Sequence, residues 1–490
     1  MSATEYEGWS SKGFHGNKIH CIFHHSIGQC LISRLTCLCF LVVVTFIICL
    51  TQEFTFMFTF RSYMTTTTMP KDFATNNSKR KLHEPKLWAS DISSNEINDW
   101  RKITEEIYVY SAYWESRLGN ASFVRIIGGA KIVGENLNNL KCLFLKSKIH
   151  GIYKEIPSTY EVLIEHHKKP CKAVYIMCSS YNEKPPAFVA LVPNMWNSTW
   201  RTKPQWIAVN LLKGNKEPSG IGVCVRPLFN YTDVFRVVEF IAFYEALGVT
   251  HFTFYRYEIA NDINRLIEEA RNANYSLEIL PWSLPQELSS MWALGQMASI
   301  NDCIYRQMQS LAYVVVVDLD EFITPRHAIT LQQLLSSHDI PEKKSASFVF
   351  RSCVFCIEYE RDIFPDEIPP FITQTSIRRE STIYPFLVRT KYVVKPRRMV
   401  TSGVHHVWEL LPGWEERLIP ASHVLVHHYR AQLCTEGRKK LKKGEVDVMA
   451  RKYLNQMLRS KIVSVWKRKF CTKTPMHVNF STQALKQTRK

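Results

Sequence analysis

Tyr313-Val314-Val315-Val316-Val317-Asp318-Leu319-Asp320-Glu321-Phe322 sets an apolar, mostly β-branched run directly against three carboxylates. A continuous apolar run bounded this way predicts a strand buried on both faces of a parallel sheet. In open α/β sheets ligands bind beyond the carboxyl ends of the strands, and here the acids occupy that end. Asp318 and Asp320 stand at i and i+2 on a chain leaving a strand, so both reach one hard cation. Oxygen donors of this kind suit Mg2+ or Mn2+ holding a diphosphate. The bland alternative is a solvated strand end capped by acids.

Working outward, the preceding hundred residues alternate. Ile221–Leu228 reads as a strand, and Asp233–Leu247 as a helix with Asp233 at its N-cap and Gly248 just past its end. Strand Thr250–Tyr257, helix Asp262–Arg271, strand Leu277–Leu280 and helix Leu288–Gln309 lead into the acidic strand. This βαβαβαβ order calls for right-handed crossovers and a parallel sheet. No G-x-G-x-x-G follows the first strand, which argues against a dinucleotide fold. Beyond the acids, Ser347–Cys353, Tyr392–Val394, Val404–Trp408 and Val424–His428 read as strands, and Arg438–Arg468 as helical. Between about Glu106 and Asn210, short runs such as Ile107–Tyr110, Phe123–Ile127, Ala173–Met177 and Ala187–Val192 are separated by turn residues, the pattern of a β-rich module.

The chain has 490 residues, room for more than one core, and 46% hydrophobic residues, the make-up of a globular protein. Its formal charge is +18, but 16 Lys/Arg against 3 Asp/Glu lie between Glu436 and Lys490. Without a zinc-finger or RNA-binding signature this reads as a solvated basic tail and excludes a nucleic-acid partner. Leu35–Gln52 carries no charge and is just long enough for a membrane helix; a buried core helix is the alternative. Asn76, Asn120, Asn197, Asn230, Asn274 and Asn479 head N-x-S/T sequons, all after that segment, which fits a short cytosolic tail and a lumenal body. Nine of the 14 cysteines, from Cys142 onward, would then lie in an oxidising compartment. Cys353-x-x-Cys356 has no second pair at zinc spacing and is read as structural.

A tethered body, a parallel sheet and Asp-x-Asp at a strand end together point to a nucleotide-sugar transferase. A nucleoside diphosphate leaves readily only when its growing charge is neutralised, as a divalent cation does. His405, His406, His427 and His428 are candidates to complete the cation's shell, each with packing or surface exposure as its ordinary reading.

Val238-Glu239-Phe240-Ile241, Leu247-Gly248-Val249-Thr250-His251-Phe252, Asn301-Asp302-Cys303-Ile304-Tyr305-Arg306, Asp318–Pro325, Gly403-Val404-His405-His406-Val407 and His428-Tyr429-Arg430, in this order, resemble glycosyltransferase family 92. The resemblance reaches back to Tyr110-Ser111-Ala112-Tyr113 and Val124–Gly128. It implies a type II Golgi membrane protein with a GT-A-like fold, transferring galactose from a UDP-sugar to a glycan acceptor with inversion and Mn2+ (or Mg2+). The implied partition is a cytosolic tail (1–34), a membrane helix (35–52), a stem (53–100), a β-rich module (101–219), a GT-A-like α/β domain with a mostly parallel sheet (220–435) and a basic helical tail (436–490). Asp318 and Asp320 would hold the metal and diphosphate, with His405, His406 and His428 as further ligands. Arg226, Tyr257, Glu258 and Arg306 are the other donor-side residues, Arg226 and Arg306 having structural ion pairing as an alternative. Inversion needs a carboxylate base, for which Glu409, Glu360 and Asp362 are candidates; Glu321 is a supporting acid.

Two other functions share features of this sequence. Aspartyl-phosphate phosphatases also end an apolar strand in Asp-x-Asp, but they want Thr or Val where Phe322 stands, and a later strand ending in paired acids is missing. A membrane-bound lectin keeping the fold without turnover would not need both aspartates.

Overall fold

The computed structural model describes residues 99–470, apart from 120, 133–135, 148–151, 181–183, 198–202, 212–216, 364, 366–367 and 432–443. The expected membrane helix, tail and stem, and the sequons at Asn76, Asn120 and Asn479, lie outside the described residues. Among the described residues no helix is long and apolar enough to cross a membrane. Asn197, Asn230 and Asn274 are exposed.

Alternating inward and outward residues build the first module. Its strands are β1 (Arg101–Lys102), β2 (Ile107–Glu115), β3 (Phe123–Lys131), β4 (Leu140–Leu145), β5 (Ile152–Val162), β6 (Cys171–Ser179), β7 (Phe188–Pro193) and β8 (Ile207–Asn210). They pair in the order β1-β2-β3-β6-β5-β4-β7-β8, and β8 returns to β2 in parallel, Ala112 opposite Val209. The β-rich module is therefore a closed barrel of β2 to β8, which leaves few free edges. Val109, Val124, Ile126, Phe144, Val174 and Ile176 fill its interior, where Cys142 is bonded to Cys178. Tyr108, Tyr110, Tyr113, Ile127 and Tyr175 point the other way, into a second core shared with the α/β domain.

That domain opens with β9 (Ile221–Val225), α1 (Val234–Ala246), β10 (His251–Arg256), α2 (Asn261–Asn272), β11 (Leu277–Pro281), α3 (Gln296–Gln307) and β12 (Tyr313–Val317). It continues with β13 (Glu321–Pro325), α4 (Leu331–His338), β14 (Ser345–Phe350), β15 (Ser352–Cys356), the single turn α5 (Ile372–Thr375), β16 (Arg378–Ile383), β17 (Lys391–Val394), β18 (Met399–Ser402), β19 (Val407–Leu410), β20 (Glu415–Ile419), β21 (Val424–Arg430), β22 (Glu445–Val446), α6 (Leu454–Arg459) and α7 (Lys461–Phe470). The main sheet runs β11-β10-β9-β12-β17-β14-β20, and β9 to β12 are mutually parallel, as the βαβ pattern requires. β12 is wholly buried. Asp233 caps α1 by accepting from the Arg236 N–H at 2.9 Å, a contact worth about 1 kcal/mol. Gly248 takes a φ of +90° just past the helix, a backbone state that glycine enters without strain. A second sheet, β13-β21-β15-β16-β22, stands beside the first.

Four expectations change. Helix Leu288–Gln309 is two short 3₁₀ turns followed by α3, because Ala293, Leu294 and Gly295 all have positive φ and break the helical path. Ser347–Cys353 divides at Arg351 into β14 and β15, which join different sheets. Val404–Trp408 is a tight turn over 403–406 before β19, closed by the Gly403 N–H on the His406 carbonyl at 2.9 Å. Finally, 449–470 is no solvated tail: Tyr453, Met457, Ile462, Val463, Val465 and Trp466 are buried in the α/β core beside α1.

The barrel docks on α3. Tyr113 and Tyr255 each donate a hydroxyl to the Asp302 carboxylate at 2.5 Å, and Tyr175 donates to Asn301 Oδ1 at 2.6 Å. Cys224 on β9 is bonded to Cys303 on α3, tying helix to sheet from the other side.

Candidate functional site

Strand register brings the acids their neighbours. Val317 pairs with Val225 of β9, so Arg226, the next residue, stands beside Asp318. Tyr392 of antiparallel β17 lies opposite Val316, which sets Lys391 at the same strand end. The chain then reverses: the Glu321 N–H bonds the Asp318 carbonyl at 3.1 Å, and the Asp318 N–H bonds Glu321 Oε2 at 2.9 Å. Asp320 sits at the tip of this turn. β13 departs antiparallel to β21 with Glu321 opposite His428, which draws His428 Nε2 to 3.3 Å from Asp320 Oδ2.

Lys391 lies between two acids, its ammonium 3.3 Å from Asp318 Oδ2 and 3.0 Å from Glu321 Oε2. Arg226 Nε is 3.5 Å from Asp318 Oδ1, and Gln296 Nε2, at the start of α3, is also 3.5 Å away. Exposure falls inward: the side chain of Arg226 is 45% exposed, Asp320 33%, Asp318 16% and Lys391 2%. The cluster is thus a partly exposed pair of aspartates on a buried ionic base.

The charges set the protonation states. Burial would raise the Asp318 carboxyl, but Lys391 and Arg226 outweigh it and hold it below the ordinary range. Burial likewise opposes ionisation of Asp320, and His428 overcomes it, keeping that carboxyl well down. Glu321 goes the other way, pushed up by burial, which Lys391 offsets only in part. His428 is raised because Asp320 outweighs burial, whereas His405 falls to about 4 through burial and the nearby Lys391. Arg226 is held more firmly charged by Asp318.

The expected site residues separate into two groups. Asp318, Asp320, His428 and Arg226 meet at the strand end. Tyr257 and Glu258 lie at the end of β10, where the Tyr257 ring is 5.2 Å from the exposed Phe229 and the Glu258 N–H bonds the Leu228 carbonyl at 2.9 Å. His405 is turned to the Thr390 carbonyl, 3.1 Å from its Nδ1, and His406 packs its ring 4.4 Å from that of Trp408, so neither imidazole contacts an aspartate. His427 faces the opposite side of β21, stacked 4.1 Å from Phe355 and 3.9 Å from Asp447, with burial lowering it to about 3.

Arg306 is not at the donor side. Its guanidinium pairs with Asp302 at 3.1 Å within α3, the structural role, and it borders a cavity of about 120 Å3 at the barrel junction with Tyr113, Glu115, Arg117 and Tyr305. Among the base candidates, Glu409 is exposed on β19 near Thr401, Glu360 is exposed, and Asp362 is ion-paired to Arg451. No hydrogen bond or ion pair joins any of the three to the Asp318 cluster among the described residues. Sequence reading missed Lys391, whose one signal was a charge opening the apolar run Tyr392–Val394, and Gln296, which had none. Cys356 is disulfide-bonded and Cys353 is a buried free thiol, so the C-x-x-C is structural as read.

Among the described residues, no group of three or more His, Cys, Asp or Glu side chains is placed to hold a metal ion by itself. Two partly exposed carboxylates are nevertheless the donor set that Mg2+ or Mn2+ prefers when phosphates and water fill its remaining positions. The residues present therefore fit such a cation.

Residues 219–488 match the model of glycosyltransferase family 92, and the chain belongs to that family. A curated relative, the beta-1,4-galactosyltransferase galt-1 of Caenorhabditis elegans, is 23% identical over 399 residues, covering 77% of this chain and 85% of the relative. Among solved structures, GalNAc-T7 with UDP, GalNAc and Mn2+ is 9% identical over 46% of this chain and 45% of that one, at a TM-score of 0.25. The mannosyltransferase PcManGT from Pyrobaculum calidifontis, in complex with GDP-Man and Mn2+, is 10% identical over 53% and 77%, at 0.24.

Proposed function

We propose that this glycosyltransferase moves a hexose, galactose from UDP-galactose, onto a glycan hydroxyl with inversion and with Mn2+ or Mg2+ bound. The observation that carries the reading is the pair Asp318 and Asp320, both held ionised and partly exposed at the carboxyl end of β12. Asp318 and Asp320 would hold the cation, with His428 beside them. When bound, the cation supplies Lewis-acid neutralisation of the leaving diphosphate. Arg226, 45% exposed, offers a second positive charge to the phosphates. Lys391 and Glu321 keep the turn rigid, so the aspartates are oriented before the donor arrives. The exposed Phe229 and the neighbouring Tyr257 give the nucleoside an aromatic face. An acid must still take the acceptor proton, and Glu409, the candidate on the hairpin that also carries His405, is the first to test.

A lumenal, membrane-anchored Golgi location belongs to the same proposal, supported by the disulfides Cys142–Cys178 and Cys224–Cys303. The test is UDP release by the purified body with UDP-galactose, Mn2+ and mixed glycans, alongside the other UDP-sugars. Chelator should abolish release, and Asp320→Asn should lower it about 100-fold or more. Undiminished release by the variant would sink the assignment of the aspartates.

A further inference from the structure

Three segments that are distant in sequence meet ahead of α3, whose first residue Gln296 reaches Asp318, and the proposed donor chemistry uses little of them. The first is the barrel stretch from Leu163 to Lys172. The second runs from Met291 to Gln296, ahead of α3. The third is the turn from Gly403 to Trp408. A shallow cleft lies between the first two, bordered by Glu165, His166, Met291, Trp292 and Gly295. The His167 ring stacks on Trp292 across it, with centroids 4.2 Å apart and planes inclined by 24°. Glu165 then reaches the third segment: Oε2 accepts from the Val404 N–H at 2.9 Å and Oε1 from Trp408 Nε1 at 3.1 Å.

Both walls of this cleft hold strained backbone. His167 and Lys168 have φ of 48° and 56°, and Ala293 and Leu294 have 46° and 59°. Left-handed non-glycine residues are uncommon, and four of them face one another here in two consecutive pairs. Such strain persists where surrounding contacts over-determine it, and it gathers at ligand sites. Here it turns Trp292 toward His167 and sets Gln296 against Asp318. Trp408, on the opposite side of Glu165, keeps 38% of its surface exposed although it is fixed at its indole nitrogen. Gly403 leaves space for that arrangement, since a Cβ there would stand 2.5 Å from Trp408 Nε1 and 2.7 Å from Glu165 Oε1.

Two fixed indoles beside a carboxylate and histidines, Trp292 partly buried and Trp408 38% exposed, suit the apolar C–H face and hydroxyl edge of a pyranose ring. We infer that the acceptor glycan lies on the surface formed by Trp292 and Trp408, with Glu165 of the barrel as the positioning residue that locks the two walls together. This rests on the transferase reading and assigns the barrel a share of the acceptor side. A hydroxyl presented there approaches the donor from the side of Gln296, while the Phe229–Tyr257 side is left to the nucleoside.

The probe is a printed array of N- and O-glycans, read with the labelled body without donor. Wild-type protein should bind a subset of glycans, and Trp292→Ala and Trp408→Ala should each weaken that binding at least tenfold. Trp292→Phe should recover most of it, and both alanine variants should keep an unfolding midpoint close to that of the wild type, which separates a lost glycan contact from a folding defect. Asp320→Asn should bind the array as wild type does, so failure of the donor assignment and failure of this one are told apart. The inference is overturned if wild type binds no glycan on the array, or if the alanine variants bind as wild type does. In turnover, Glu165→Gln should raise the acceptor KM severalfold with less than a twofold change in the donor KM; an equal rise in both would refute its positioning role.

Discussion

Lys391→Met removes a cation that is 2% exposed and leaves two carboxylates facing each other in the space it vacates. At these separations, with an effective dielectric constant of about 20, each ion pair amounts to roughly 5 kcal/mol of direct attraction. Part of that is offset because Lys391 no longer has to be desolvated, and breaking a buried pair from one side typically costs about 3–5 kcal/mol net. For a body of roughly 370 residues, unfolding entropy near 2.1 cal/mol/K per residue converts this to a midpoint drop of about 4–6 °C. The pH dependence distinguishes this cause from simple loss of packing. Without Lys391 the Asp318 and Glu321 carboxyls rise in the folded state above their ordinary values of 3.8 and 4.5. A carboxyl raised by folding penalises the folded state once pH exceeds its unfolded value, and the penalty disappears when both states are protonated. The deficit should therefore be full near pH 7 and shrink steadily toward pH 4. Thermal and urea unfolding of both proteins across that range measure it. A variant with an unchanged midpoint at pH 7, or a deficit that grows as pH falls, would refute the ionic account of this pocket.

Asp447→Asn tests the opposite sign of shift: burial would raise this carboxyl, but Arg326, bonded at 2.7 and 3.0 Å, and His427 bring it down to about 2. The wild-type advantage in urea should be about 1–3 kcal/mol above pH 4 and fade as pH falls toward 2, where the native carboxylate itself takes up a proton. Cys224→Ser with Cys303→Ser should cost about 2–5 kcal/mol, seen as a lower urea midpoint under non-reducing conditions, and reductant should then lower its midpoint by less than it lowers that of the wild type, because Cys142–Cys178 is still there to be reduced. Gly403→Ala should cost about 1–3 kcal/mol by overpacking against Trp408 and Glu165, with a higher acceptor KM.

The parallel half of the sheet was readable because each of its strands is an apolar run bounded by a helix with its own punctuation, Asp233 before the first and Gly248 after it. Asp318 and Asp320 were readable for the same reason, since two acids ending such a run have few structural uses. What escaped depended on partners distant in the chain. Lys391 is an ordinary lysine until antiparallel pairing sets it beside Val317. Arg306 looked like an anion binder, yet its partner Asp302 lies one helical turn away on the same face. The run Val404–Trp408 has the composition of a strand, but Gly403 and the reach of Glu165 from another module fold it into a turn. The apolar positions Tyr453, Met457 and Val463 were visible as a helical pattern, but the lysines and arginines between them made the segment read as a basic tail, whereas they lie outside a face that is core.

Closure of the barrel also bears on the order in which the chain assembles. Its last stave ends at Asn210, before any strand of the α/β sheet begins, so the seven staves complete a hydrogen-bonded ring from their own residues. The ring's outer wall is a different matter. Tyr110, Tyr113 and Tyr175 donate their hydroxyls to Pro281, to Asp302, and to Asn301 and Val400, a hundred or more positions later. A chain whose synthesis has passed the barrel but not α3 thus presents a finished module with a wet aromatic wall, the kind of surface that chaperones retain. Asp302 and Asn301 supply the partners of Tyr113 and Tyr175 from the same helix whose first residue, Gln296, meets Asp318 at the head of the sheet.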